Sequence, residues 1–218
     1  QLIGSTLSWN RIIYDFVTGF SVNGESTIVN YGIKALAHDA AFVNGAFGQG
    51  CELDDVFDRG GSHPGSASVP VALALGEKNH IDGKTFLISL VVGYDTGYHV
   101  GRGMYPGIKH RGFHSQNVFG LFDATAVAGK ILKLDAAQMA QALAIAGSQA
   151  SGTMEYDQSG GEVKRMHTSL AVRGGIQSAT LAKMGLTGPL TIFEGKRGIL
   201  LLFSGEINDE AITRDLGR

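Results

Sequence analysis

The stretch KTFLISLVVGYDTGYHVG, residues 84–101, predicts the long helix that decides the fold class. Asp82 stands just ahead of it, at a position where an aspartate side chain caps a helix N-terminus. Because apolar residues occur almost all round this helix, we expect other helices to bury it on most sides. Gly93, Gly97 and Gly101 recur at every fourth residue, so they predict a groove in which a neighbouring backbone packs closely.

Other segments of the chain have the same helical character. Helices are predicted at residues 10–19, 38–50, 69–78, 116–132 and 136–149 and in a long segment that ends at Gly185. Pro70 falls in the first turn of its helix, where proline is tolerated. Asp135 is an N-cap, and Gly185 is typical of the residue that follows a helix C-terminus. Only two short runs, STIVNYGIK (26–34) and GILLLF (198–203), suggest strands. The sequence therefore predicts one all-α domain of closely packed helices.

The composition narrows the possible partners. Hydrophobic residues make up 44% of the 218 residues and charged residues 17%, which is typical of a folded protein with a sizeable core. A net charge of −2, spread over both signs, predicts no binding to nucleic acid or to an anionic membrane. The longest apolar runs are far shorter than the roughly 18 residues of a membrane-spanning helix. Cys51, the single cysteine, forms no disulfide within the chain and cannot supply an iron–sulfur cluster or a structural zinc site, so we expect a cytoplasmic protein.

Three polar segments interrupt the apolar pattern. They are ELDDVFDRGGSHPG (52–65), MYPGIKHRGFHSQNVFG (104–120) and YDQSGGEVKRMHTS (156–169). In each, a glycine or proline break stands beside ionisable side chains and leads into a predicted helix. Since a helix N-terminus presents free N–H groups and positive partial charge, an anion is its natural ligand. Histidine, lysine and arginine beside such ends favour a multiply charged anion, and a polycarboxylate fits this pattern.

The same segments belong to longer stretches that resemble the MmgE/PrpD family. These are AAFVNGAFGQGCELDDVFDRGGSHPGSASVPVALALGE (40–77), FHSQNVFGLFDATAVAGKILKLD (113–135), and VKRMHTSLAVRGGIQSATLAKMGLTGP with FEGKRGILLLFSG (163–205). The resemblance implies a large all-helical domain plus a smaller α+β lid, a homodimer, and catalysis without metal or cofactor. Because members of the family are roughly twice as long, residues 1–218 are expected to be most of the helical domain, with its first helices and the lid outside this chain.

The resemblance also implies the residues of the site. The implied catalytic residues are a glutamate, two histidines and a lysine: Glu52, His63, His114 and Lys164. The implied substrate-binding residues are Asp54, Asp55, Arg165 and His167. Val56 departs from the pattern, because the family often has threonine at that position. Structural alternatives remain open, since His114 could simply cap a helix and the two aspartates could form a turn.

These residue types suit chemistry at a carbon beside a carboxylate. Removing a proton there creates a dianion, which needs cations and hydrogen-bond donors already in place. A histidine can act as base or acid near neutral pH, and the nearby carboxylates could orient His63. Which histidine is the base stays open.

We expect a cofactor-independent lyase for a small di- or tricarboxylate, most like 2-methylcitrate dehydratase. Decarboxylation of cis-aconitate and epimerisation of iminodisuccinate are alternatives. A non-catalytic oligomerisation scaffold is the alternative from another class, and a cavity bordered by His63, His114 and Lys164 would argue against it.

Overall fold

The computed structural model describes residues 1–20, 23–58 and 60–216 and has the predicted all-α architecture. The longer helices are α1 (Ser8–Thr18), α2 (Ala37–Gln49), α3 (Pro64–Asn79), α4 (Gly83–Met104), α6 (Ser115–Ile131), α7 (Ala136–Gly147) and α9 (Val163–Lys183). Three short helices are α5 (Gly107–His110), α8 (Tyr156–Ser159) and α10 (Asp209–Thr213). Two antiparallel strands, β1 (Ser26–Thr27) and β2 (Lys34–Ala35), lie at the two ends of the predicted run 26–34. None of the described helices has the length and apolar character needed to cross a membrane.

Helix α6 is the centre of the domain. Every residue from Ser115 to Gly129 is buried, which is unusual for a helix that also carries polar side chains. Helices α3, α4, α7 and α9 pack around it. The N-termini of α3, α6 and α9 lie near one another. Gln116 in α6 hydrogen-bonds to His63, directly before α3, and His114, directly before α6, contacts His167 in the second turn of α9.

The glycines of α4 allow the close approach that their spacing predicts. A side chain at Gly97 would collide with the carboxylate of Asp123 on α6, and one at Gly93 would collide with Val127 on the same helix. Gly101 lies against the backbone of Gly60, in the polar segment that precedes α3. The glycine groove therefore serves helix packing within the domain.

Local signals predicted several helix ends correctly. The Asp82 side chain accepts a hydrogen bond from the Thr85 N–H at 2.7 Å. Asp135 forms a capping box with Gln138 at the start of α7. Gly185 has a positive φ of 99°, in the position after α9 where glycine is favoured.

Two element predictions were wrong. Helix α3 begins at Pro64, so Pro70 lies inside the helix and not in its first turn. The run 198–203 forms a π-helical turn, Leu200–Ser204, and not a strand. Its burial explains the difference: Leu200 and Phe203 are buried while Leu201 and Leu202 between them are exposed, which matches a helical period and not the alternation of a strand.

Helix α4 is also less buried than its composition predicts. Leu87 is 63% exposed and Val91 is 67% exposed, because the helices packed against α4 cover only its other side. An apolar face of α4 is therefore open in this chain.

Candidate active site

Two consecutive residues at the start of α6 hold the loop that carries His63. Gln116 is fully buried, and its Oε1 accepts a hydrogen bond from the His63 N–H at 2.6 Å. Its Nε2 donates to the His63 carbonyl at 3.1 Å, and the Ser115 hydroxyl donates to the carbonyl of Gly61. The first and second polar segments are thereby joined, and His63 is fixed directly before α3. Gln116 was not singled out in the sequence, because its partner, His63, lies 53 residues away.

A second loop contact fixes His114. The His114 N–H donates to the Gly152 carbonyl at 2.9 Å, and the Met154 N–H donates to the Gly112 carbonyl at 2.8 Å. Phe113 and Thr153 form the antiparallel bridge between these two bonds. His114 is thus held at the residue before α6, and the segment leading to Tyr156 is brought over the site.

His114 and His167 form a buried imidazole pair. Their Nδ1 atoms lie 2.9 Å apart, and the two residues are 7% and 4% exposed. Burial, followed by the positive charges that His167, Lys164, His63 and Lys109 can carry, lowers the pKa of His114 to about 3. Burial also lowers the pKa of His167. Both rings are therefore neutral at pH 7.

Lys164 is held beside this pair by a carboxylate. Its Nζ donates to Glu52 Oε2 at 2.8 Å, across 112 residues of sequence. Glu52 has a φ of 54°, a left-handed conformation that non-glycine residues seldom adopt. The contact joins the first polar segment to the third, so all three segments meet.

The two aspartates of the first segment have different contacts. Asp54 Oδ2 lies 3.3 Å from His63 Nδ1, although the angle does not make a good hydrogen bond. Burial raises the pKa of Asp54, and the charge of His63 opposes that rise. Asp55 instead accepts from the Gly65 N–H at 3.1 Å and contacts the start of α3. Asp54 therefore lies beside the His63 ring, whereas Asp55 binds the backbone N–H of Gly65, two residues after His63.

Arg165 and Tyr156 line the outer side of the cluster. The guanidinium of Arg165 stacks on Trp9, with 5.4 Å between its Cζ and the ring centroid. The Tyr156 ring lies edge-on to both imidazoles, 5.4 Å from His114 and 5.7 Å from His167 between centroids. Burial, Asp157 and Glu52 raise the pKa of Tyr156 to about 12, so its hydroxyl stays protonated at neutral pH. Tyr156 was missed in the sequence, although it begins the third polar segment.

The cluster opens to the surface. The side chains of His63 and Lys164 are 22% and 24% exposed. A cleft of about 870 Å³, lined by Val56, Pro64 and residues of α4, lies beside the His63 loop, and none of His63, His114 and Lys164 lines it. This cleft is therefore not the cavity that was expected between His63, His114 and Lys164. In the described part of the chain, no group of three or more His, Cys, Asp or Glu side chains could hold a metal ion.

Three helix N-termini meet at the cluster. His63 precedes α3, His114 precedes α6, and Lys164 is the second residue of α9. Their partial positive charges point toward the same region. The structure therefore brings together most of the residues singled out in the sequence, with Asp55 and Arg165 at its edge.

The fold and the cluster define an all-helical domain with paired histidines and a lysine at converging helix ends. The chain belongs to the MmgE/PrpD family, since the sequence model of the MmgE/PrpD N-terminal domain matches residues 1–210.

Named relatives agree with this assignment. A cis-aconitate decarboxylase-like protein of Aspergillus oryzae is 32% identical over 234 residues, covering 100% of this chain and 48% of the relative. A cis-aconitate decarboxylase of Aspergillus terreus is 30% identical over 204 residues, covering 91% of this chain and 40% of the relative. The human cis-aconitate decarboxylase is 29% identical over 202 residues, covering 90% and 41%. The chain thus spans about half the length of these curated relatives or less.

Proposed function

We propose that this chain is the histidine-bearing domain of a cofactor-independent lyase for a small di- or tricarboxylate. The observation that carries the proposal is the convergence of three helix N-termini with His63, His114 and Lys164. A polycarboxylate presents several anionic groups, and the helix ends and Lys164 supply matching positive charge. An oligomerisation scaffold would have no use for ionisable side chains buried at this point.

The environments of the two histidines suggest different roles. We assign the base to His114, whose ring is neutral at pH 7 and has a free nitrogen lone pair, although the burial that lowers its pKa also weakens it as a base. His63 Nδ1 lies 3.3 Å from Asp54 Oδ2, and the His63 side chain is 22% exposed, so we assign the proton donor to His63. Lys164 would hold a substrate carboxylate and stabilise the charge that develops on it.

Two reactions are candidates for this set. Loss of CO2 from cis-aconitate is favoured by the names of the relatives, and it needs a proton donor for the carbon that receives the freed electron pair. Dehydration of 2-methylcitrate, the reaction favoured by the sequence, is supported by the presence of two histidines, since it needs one group to remove a proton and another to supply one. In that reaction His114 would remove the proton beside a carboxylate, and His63 would protonate the hydroxyl that leaves as water.

A substrate panel tests the proposal in the full-length protein. Purified protein is mixed separately with cis-aconitate, 2-methylcitrate and iminodisuccinate, and products are followed by NMR together with CO2 release. We expect turnover of at least one of them, with cis-aconitate giving CO2. A folded full-length protein that neither binds nor converts any small di- or tricarboxylate would refute the proposal.

We also propose that the natural protein is a homodimer and that the open face of α4 contributes to its interface. Leu87 and Val91 on this face border the cleft of about 870 Å³ beside the His63 loop. Exposed apolar patches of this kind mark interfaces in folded proteins.

A further inference from the structure

The Nδ1-to-Nδ1 contact between His114 and His167 restricts the protonation of both rings. A distance of 2.9 Å between two nitrogens is a hydrogen bond, and such a bond needs one proton between them. A neutral imidazole carries a proton on only one of its nitrogens. The ring that donates from Nδ1 therefore has a bare Nε2, and the ring that accepts at Nδ1 carries its proton on Nε2. The two histidines must be opposite tautomers.

The proposed chemistry indicates which ring is the donor. If His114 is the base of the proposed lyase, its Nε2 must be bare, and a neutral imidazole with a bare Nε2 carries its proton on Nδ1. His114 then donates that proton to His167, whose Nδ1 lies 2.9 Å away.

We propose that His167 is a positioning residue that accepts the Nδ1 proton of His114 and so keeps the Nε2 lone pair of His114 available as the base. This assignment rests on the proposed lyase function, and it gives His167 a role through His114 in place of direct contact with substrate. His167 is suited to this role because α9 holds it rigidly, and it is only 4% exposed. Tyr156 packs edge-on against both rings and helps to keep water away from the bond between them.

Substitution of His167 separates this role from simple packing. In His167→Asn, the amide oxygen can stand close to the position of Nδ1 and accept the same proton, so we expect kcat to stay within about threefold of the original. His167→Leu has similar bulk and no acceptor. We expect its kcat to fall by about one to two orders of magnitude, the scale of a mispositioned acid–base group, while KM changes little. Equal losses in the two variants, or none in either, would overturn the proposal.

The tautomers can also be read without turnover. In full-length protein with 15N-labelled histidine, nitrogen chemical shifts at pH 7.5 should show His114 protonated on Nδ1 and His167 on Nε2. In His167→Leu, His114 should lose this assignment. If both rings carry their protons on Nε2, or if His114 does so alone, the proposal is wrong even when the protein is an active lyase. If the tautomers are as stated but no polycarboxylate is converted, the proposed function fails and the pairing stands.

Discussion

At the scale of single residues, burial determines which side chains of this domain carry charge. His114 shows this in the site, where burial and neighbouring cations hold the ring neutral. Asp123 shows it in the core of α6. Its carboxyl is completely buried against Gly97, and neither oxygen has a hydrogen-bond partner among the described residues. Burial, with Asp55 as a further contribution, raises the pKa of Asp123 well above its ordinary value.

Asp123 should make the free energy of unfolding fall with rising pH. Above about pH 4 the unfolded carboxyl is ionised while the folded one keeps its proton, so the folded state binds more protons. Stability is then lost by up to about 1.4 kcal/mol per pH unit, until the folded carboxyl itself ionises. Asp123→Asn cannot ionise, so its stability relative to the original protein should increase between pH 4.5 and 8, as measured by urea denaturation.

The comparison has a matched control. Asp15→Asn, which removes an exposed carboxylate paired with Arg11, is the control for replacing an aspartate outside the core. A stability difference between Asp123→Asn and the original protein that stays constant with pH would show that Asp123 is not protonated in the fold.

At the scale of elements, α4 combines a packed glycine face with an open apolar face. If the open face is a dimer interface, charges placed there should separate the subunits. Leu87→Lys with Val91→Lys should convert a dimer of the full-length protein to monomer in light scattering. Ile12→Lys is a matched control, because Ile12 on α1 is 64% exposed, close to the 63% of Leu87. If the double variant keeps the mass of the original protein, the open face of α4 is not a dimer interface.

Elements governed by neighbouring residues were predictable, and those governed by distant contacts were not. Asp82, Asp135 and Gly185 mark helix ends because capping involves residues within one turn. The start of α3 depends on Gln116, which holds the His63 backbone from 53 residues away. For the same reason the run 198–203 looked like a strand, since only its packing shows that the buried positions follow a helical period.

For the candidate site, the sequence singled out residue types but not their pairings. Family resemblance placed His63, His114 and Lys164 in one site, and the structure brings them together. Two contacts of the candidate site span 53 and 112 residues: His114 with His167, and Lys164 with Glu52. No local pattern encodes such contacts. Tyr156 was missed because a tyrosine beside a polar loop gives no signal until the ring is seen against both imidazoles.

At the scale of the whole molecule, the helix arrangement creates the site. Because α6 is central, with α3 and α9 packed on it, the polar segments before these helices are forced to meet. Positive helix ends, Lys164, His63 and the buried His114 then lie in one region of the domain. Under the proposed function, this arrangement would supply the binding charge and the acid–base groups that a lyase for anionic substrates needs.

The most direct test of this account is the steady-state kinetics of three single variants of the full-length protein on the substrate it converts. His63→Ala should lower kcat by roughly two to four orders of magnitude with KM little changed, because it removes a positioned proton donor. Lys164→Ala should raise KM as well as lower kcat, because it removes an anion contact. His110→Ala, at an exposed histidine outside the cluster, should behave as the original protein. Near-normal turnover in His63→Ala with only a lower melting temperature would show that His63 is a structural residue and that the cluster is not the active site.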